Sequence, residues 1–419
     1  PRTRVSHRPP AIESRQMCVR NDAHAHANFK EHTATMEPTR ASLRTSAPTR
    51  PPRRRWVLPV VFTAVGLVVL GGVALVATNL LRGDAPAVAS TPTPTHTRLA
   101  PTPPLTDAQR LLARSADPML CAVTLEGEEI AEGPILQRQG DLFRELPIPA
   151  REGLVFAGWY ATTEDASALA SAGRINRADT VTCTEREATL HGAWTTPEAN
   201  ATENARIPIL MYHQFTPKPE GETGWLRGNY AYIGDFDAHM QHIATTGFYQ
   251  PSWLELNAFI DGRLFLPNHS VIVTDDDADQ TWFDLAVPIV DKYKVLATSF
   301  MITAHRQDPS PSPYVMVRSH TNDMHEAGAN GKGRMVNWTA EEIAADLRAS
   351  ARITGAAEVV AYPYGHFNDT SKQGVADAGF LMARTIDGGL VSIGTDKLAL
   401  PVVRMNYGMG LDSLVSLIG

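Results

Sequence analysis

Val271-Ile-Val-Thr-Asp-Asp-Asp-Ala278 is the stretch on which the reading of this chain turns. The β-branched run Val271–Val273 predicts a buried strand. That strand delivers three consecutive carboxylates, Asp275, Asp276 and Asp277, at its C-terminal end. Adjacent anions repel, so solvent, a cation or a proton on one member must compensate them. Taken alone, the octet fits a solvated acidic turn as well as an active site. In an α/β protein, however, the C-terminal ends of strands are where catalytic groups gather.

Working outward, apolar runs alternate with helical stretches from Ile207 to the C-terminus. Ile207–Tyr212 reads as a strand ending at His213, and helices are predicted over Phe236–Thr246, Trp253–Asp261 and a segment ending near Tyr293. The strand Ala297–Ile302 follows. Thr339-Ala-Glu-Glu342 is a capping box that opens a helix to about Thr354. Val359–Tyr362 is the next strand, stopped by Pro363, with short elements at Met382–Arg384 and Val402–Met405 and a last helix over Leu411–Ile418. This alternation predicts an α/β domain over residues 205–419, either a parallel barrel or a doubly wound sheet.

The remainder of the 419 residues predicts further units. Residues 1–55 are rich in Arg, His, Pro, Ser and Thr and read as a disordered basic tail. Met36 opens a compact basic leader and is expected as the true start. Behind Arg53–Arg55, the uncharged run Trp56–Leu81 is long enough to span a bilayer, so residues 56–82 are expected to form a transmembrane anchor. The basic flank should stay cytoplasmic, placing everything after Arg82 outside. Ala87-Val-Ala89-Ser90 keeps a cleaved signal peptide open as the alternative. Residues 83–118 form a Pro/Thr-rich spacer containing one short helix within Leu105–Ala116. Residues 119–195 read as a small β module with strands at Leu120–Thr124, Thr180–Thr184 and Glu187–Trp194. A polar connector, Thr195–Ala205, then predicts that the module folds apart from the α/β domain. Cys121 and Cys183, both in the exported module, are expected to form a disulfide. A net charge of -7 argues against nucleic acid as a partner.

Within the module, Pro149-Ala-Arg-Glu-Gly-Leu-Val-Phe-Ala-Gly-Trp-Tyr160 and His191-Gly-Ala-Trp194 resemble a single unit of the internalin B-repeat type. The resemblance implies that Phe156, Trp159, Tyr160 and Trp194 are core aromatics; a carbohydrate-stacking platform is the alternative. The module would provide a contact with cell wall or protein.

Two further stretches carry chemistry: Ser319-His320-Thr-Asn-Asp-Met-His325 and Tyr362-Pro-Tyr-Gly365. On a helix, His320 and His325 would point about 140° apart, so they converge only if His320 ends a strand and His325 lies on the turn beyond it. Two imidazoles with one carboxylate leave an open coordination position, as in catalytic zinc sites. Two surface histidines are the alternative for the pair alone.

In their order along the chain, Asp276-Asp277 and these two stretches resemble polysaccharide deacetylases of the NodB-homology type, carbohydrate esterase family 4. Ile209-Leu-Met-Tyr-His213, Pro288–Tyr293 with Ala297–Phe300, and Ala378-Gly-Phe380 resemble the exopolysaccharide-deacetylase branch. The resemblance implies a distorted (β/α) barrel with a divalent metal, usually zinc, that removes N-acetyl groups from amino sugars. It assigns Asp276 as general base, Asp277, His320 and His325 as metal ligands, and the Tyr364 N–H as oxyanion donor. Four positions depart from the family. Asp275 replaces a usual Phe, adding a charge expected to raise the pKa of the base. Ala278 replaces a Gly, and Ala361 replaces the arginine that orients the base. No histidine follows His366, which leaves His213 or His366 as proton donor, with His213 taken here. The expected protein is a single-pass, membrane-anchored, extracytoplasmic N-deacetylase of an envelope polysaccharide such as peptidoglycan or poly-N-acetylglucosamine. A glycan-binding pseudoenzyme and an O-acetyl esterase are the alternatives.

Overall fold

The structure, a computed structural model, describes residues 103–419. The expected tail, start residue and anchor lie outside these residues, as does most of the spacer. Among the described residues, no helix is long and apolar enough to cross a membrane. Packed structure begins inside the expected spacer. Helix α1 (Asp107–Leu112) opens with a capping box from Thr106 and buries Ala108 and Leu112 against Ala122.

Strands β1 (Leu120–Glu126), β2 (Ile135–Arg138) and β3 (Val155–Tyr160), helix α2 (Thr163–Ala168) and strand β4 (Glu187–Thr195) build the β module. Its sheet order is β2-β1-β4-β3, with β1 and β4 parallel and the outer pairs antiparallel. The expected strand Thr180–Thr184 makes only single bridges, to Leu142 and Glu187. It turns through Glu185 and Arg186 in the left-handed region directly into β4, so it has no length over which to pair. The sequence reading missed β2. A disulfide joins Cys121 to Cys183. Phe156, Trp159 and Tyr160 are buried, and Trp159 and Trp194 pack edge-on against Phe156 at centroid distances of 5.1 and 5.4 Å. These aromatics are core, not a stacking platform.

The polar connector is a helix, α3 (Pro197–Glu203), capped by Thr196 with proline at its first turn. Nor does the module stand apart. The Phe156 N–H donates to Arg263 O at 3.2 Å, and the Phe265 N–H donates to Phe156 O at 2.8 Å. Buried Arg174 donates to Phe265 O at 2.8 Å and lies 4.3 Å over the Tyr249 ring. One continuous apolar cluster runs from Cys121 and Phe156 through Trp253 and Leu264 to Ile207. Apolar side chains of Trp253–Leu264, read only as a helix and its exit, close the module's core, which speaks against its folding apart.

The remaining elements are β5 (Ile209–Tyr212), β6 (Gln214–Thr216), β7 (Tyr230–Tyr232), α4 (Ile233–Thr245), α5 (Trp253–Ile260) and β8 (Ile272–Asp277). After them come α6 (Val287–Tyr293), β9 (Ala297–Met301), β10 (Val315–Ser319), α7 (Ala340–Thr354) and β11 (Val359–Ala361). The chain ends with α8 (Asp369–Asp377), β12 (Met382–Gly388), β13 (Leu400–Arg404) and α9 (Leu411–Ile418). Helix α7 starts at the predicted capping box and stops at a left-handed Gly355. Seven parallel strands close in the order β10-β11-β12-β13-β5-β8-β9, so the sheet is a barrel and not doubly wound. Alternation along each strand sorts the side chains. Ile272 joins Ile209, Met211, Phe300 and Val402 on one face, while Val273 joins Tyr212, Trp282 and Val290 under the helices.

The shared core predicts that module and barrel unfold in one calorimetric transition. Cys121→Ser with Cys183→Ser should lower that whole transition by about 2–4 kcal/mol of stability. Two separate transitions, with only one moved by the substitutions, would show that the module is autonomous.

Candidate active site

Strand β8 carries Asp275, Asp276 and Asp277 to the rim of the barrel, and the pleat sends each to a different place. Asp276 follows the face of Ile272 and Thr274 inward. Asp275 follows Val273 outward and is fully buried, with the Ser299 hydroxyl 3.5 Å from one carboxyl oxygen and no hydrogen-bond partner at the other. Burial, and then the neighbouring Asp276, Asp277 and Asp279, push its pKa well above the usual carboxylate range. That burial favours its protonated form. The side chain shares the face of Val273 under the helices and not the inward face that carries Asp276.

Asp277 and Ala278 both take positive φ, 74° and 49°. The left-handed turn brings Asp277 to the inner rim and accounts for the family's glycine at position 278. Alanine there costs on the order of 1 kcal/mol.

His320 immediately follows β10, and His325 lies on the turn beyond, past Thr321 at φ 70°. Asp277 Oδ1 sits 3.3 Å from His320 Nε2 and 3.2 Å from His325 Nε2, and the three donor atoms lie within 4.8 Å of one another. Despite these distances, Asp277 Oδ1 is a buried atom without a properly aligned hydrogen bond. Donor atoms that crowd together without bonding to each other fit a shared cation. His320 Nδ1 is 2.9 Å from Ala361 O, which makes Nδ1 the N–H donor and leaves the Nε2 lone pair free for a ligand. One carboxylate and two imidazoles, with an open side toward the cleft, suit zinc or a similar divalent ion.

Asp276 is held by a residue that the sequence reading missed. Arg384, fully buried on β12, donates to Asp276 Oδ1, to Thr385 O at 3.0 Å and to Met211 Sδ at 2.9 Å. Its β-ladder partner across the sheet is Ala361. The guanidinium absent from the third motif is thus supplied from the adjacent strand at the same level. The available signal was a lone arginine inside the apolar run Met382–Ile386, since arginine is almost never buried without a partner. Burial would raise the Asp276 pKa, but Arg384, aided by His213 and His320, outweighs it and holds the carboxylate below its usual range. His213, at the end of β5, places Nε2 3.7 Å from Asp276 Oδ2. Burial lowers the His213 pKa, with Arg384 and Arg404 acting in the same direction, so it rests neutral.

Tyr364 adopts φ 58°, sets its ring 4.4 Å from that of His325 at a tilt of 43° and donates its hydroxyl to His325 O at 3.2 Å. His366 instead accepts the Gly333 N–H at 3.1 Å, holding a loop. A cavity of about 400 Å³ opens over the cluster, lined by His213, Trp225, Asp277, His325, Tyr364 and Arg404 among others.

This geometry predicts that Asp277→Ala, His320→Ala and His325→Ala each lose divalent-cation binding in calorimetric titration, whereas Asp275→Asn retains it. Undiminished binding by both histidine variants would place the cation elsewhere.

Residues 266–383 match the model of the family described as "Polysaccharide deacetylase". The poly-beta-1,6-N-acetyl-D-glucosamine N-deacetylase of Staphylococcus aureus (strain MRSA252) is 27% identical over 161 residues, covering 33% of this chain and 56% of that protein. The chain thus spans little more than half the length of that relative. Among solved structures, the deacetylase PplD of Streptococcus pyogenes in complex with acetate is 22% identical. That alignment covers 52% of this chain and 99% of the other, with a TM-score of 0.43. IcaB from Ammonifex degensii is 19% identical, with 51% and 97% covered and a TM-score of 0.43. The matched residues include Asp276 and the whole Asp277–His320–His325 cluster, and the chain accordingly carries a domain of the polysaccharide deacetylase family.

Proposed function

We propose that this protein is a metal-dependent hydrolase that removes N-acetyl groups from an amino-sugar polysaccharide of the cell envelope. The observation that carries the reading is the convergence of Asp277, His320 and His325 beside an Asp276 whose charge is secured by Arg384. The name of the staphylococcal relative favours poly-β-1,6-N-acetylglucosamine over peptidoglycan as the polymer.

Asp277, His320 and His325 would hold the divalent cation, most plausibly zinc from the donor set. Such an ion polarises an acetamide oxygen and makes water more acidic. Asp276, ionised and fixed by Arg384, takes the proton of the attacking water. The N–H of Tyr364, the oxyanion donor that the resemblance implies, would stabilise the charge that develops on the acetyl oxygen. His213 rests neutral 3.7 Å from Asp276, so it receives that proton and passes it to the departing amine nitrogen. One water proton reaches the amine through Asp276 and His213 and the other leaves with the acetic acid, which passes it to the amine so that the products are acetate and an ammonium group.

Two of the four departures bear on catalysis less than their residue types imply. Arg384 offers Asp276 the guanidinium that Ala361 lacks, and Asp275 lies buried on the face away from the base. Catalysis is therefore preferred to glycan binding alone.

For location, we propose that the apolar run Trp56–Leu81 anchors the chain and that the barrel lies outside the cytoplasm. The Cys121–Cys183 disulfide supports an oxidising compartment. The internalin-like β module, continuous with the barrel core, would hold the enzyme against the wall.

Acetate release from β-1,6-linked N-acetylglucosamine oligomers, with and without chelator, tests the reading. Release should stop on chelation and return with zinc. Asp276→Asn should keep its metal while losing about 10²–10⁴-fold in rate. In Arg384→Met, only His213 and His320 are left to oppose burial at Asp276, so its pKa rises and the acidic limb of the pH–rate profile moves to higher pH. Breaking the buried pair should also cost about 3–5 kcal/mol of stability. Chelator-insensitive release, or full activity in Asp276→Asn, would contradict the mechanism.

A further inference from the structure

Among the described tryptophans, Trp225 alone is exposed: its relative exposure is 90%, whereas Trp159, Trp253 and Trp282 are buried. An indole left in water forgoes roughly 1.5–3 kcal/mol of burial, so its position calls for a reason. It lies in the segment 217–229, between β6 and β7, at the rim of the cavity that holds Asp277 and His325.

That segment is pinned. Its two ends are joined by the parallel β6–β7 pairing, Gln214 to Tyr230 through Thr216 to Tyr232. Arg404, at the end of barrel strand β13, donates to Asn229 Oδ1 at 2.8 Å. The Tyr407 hydroxyl donates to Pro219 O at 2.7 Å, and the Tyr407 N–H donates to Gly228 O at 3.2 Å. Gly221, at φ +80°, lies so close to the Tyr407 ring that an added Cβ would sit 2.6 Å from it. The barrel itself therefore fixes the platform on which Trp225 stands.

We propose that Trp225 is a sugar-stacking, specificity-determining residue, a subsite that takes the pyranose ring next to the one being deacetylated. The inference rests on the polysaccharide reading above. A β-linked hexosamine carries its substituents equatorially, so each face of the ring presents axial C–H groups that match the flat face of an indole. Hydroxyl and acetamide groups project from the ring edge, and the polar residues Arg404, Asn229 and Gln214 line the same cavity as the indole. A lipid surface fits the segment less well. The segment also carries the charged residues Lys218, Glu220, Glu222 and Arg227, and Lys218 pairs with Glu222 at 2.8 Å.

The test uses the 419-residue chain, Trp225→Ala and Trp225→Phe, with β-1,6-linked N-acetylglucosamine oligomers of one to five units. Binding is read by calorimetry and by tryptophan emission, with acetate release followed in parallel. Trp225→Ala should bind oligomers of three or more units about tenfold more weakly, with the loss expressed in KM more than in kcat and with metal content unchanged. Trp225→Phe should recover most of the affinity, and oligomers should shift the emission of the parent but not of the alanine variant. Equal affinity in parent and Trp225→Ala overturns the proposal, as does a parent that binds no oligomer. Emission that responds to phosphatidylglycerol vesicles and not to oligomers overturns it in favour of a membrane contact. If oligomers bind through Trp225 while no acetate appears, the subsite stands and the deacetylase reading falls.

Discussion

Three successive carboxylates at the end of a buried strand cannot all carry charge unless each is separately compensated, and this constraint organises the barrel rim. The protein solves it three ways. Asp275 is buried under the helices, where burial and the neighbouring carboxylates push its pKa well above the usual carboxylate range. Asp276 takes a buried guanidinium from a strand on the other side of β5 and β13. Asp277 turns through a left-handed residue to face two imidazoles, where a cation would complete the neutralisation. The pleat, which sends neighbouring side chains to opposite faces, makes three different solutions possible within three residues.

The same constraint separates base from ligand. The proposed role of Asp276 as proton acceptor is served by Arg384, which bonds one of its oxygens and leaves Oδ2 directed toward His213. Arg384 is itself held by Thr385 O and Met211 Sδ and lies 5.1 Å over the Phe300 ring, so the pair is fixed before any substrate arrives. Such preorganisation is what electrostatic catalysis requires. The pinned segment carrying Trp225 applies the same logic at the rim, since a rigid binding surface loses little freedom when a ligand docks.

Much of this was legible in the chain. The β-branched run of β8, the strand–helix alternation and the capping box at Thr339 are local signals, and local physics decides them. The His320–His325 spacing stated its own condition, a strand end followed by a turn, and the structure has that geometry. What escaped was contact between distant segments. Arg384 meets Asp276 across 108 residues, and nothing near either residue names the other. The β module looked separable because its exit is polar in composition, yet Thr196 and Pro197 start a helix there and Phe156 pairs with Arg263 and Phe265. Asp275 was misjudged for a related reason. Its type was plain from the sequence, but whether it is charged depends on which face it shares with Val273.

The central claim is that Asp277, His320 and His325 form one metal centre. X-ray absorption at the zinc edge of the zinc-loaded protein examines it most directly, because imidazole rings give outer-shell scattering that carboxylates and water do not. The account predicts a first shell of nitrogen and oxygen with two imidazoles, falling to one in His325→Ala. A shell without imidazole, or one unchanged by that substitution, would contradict it.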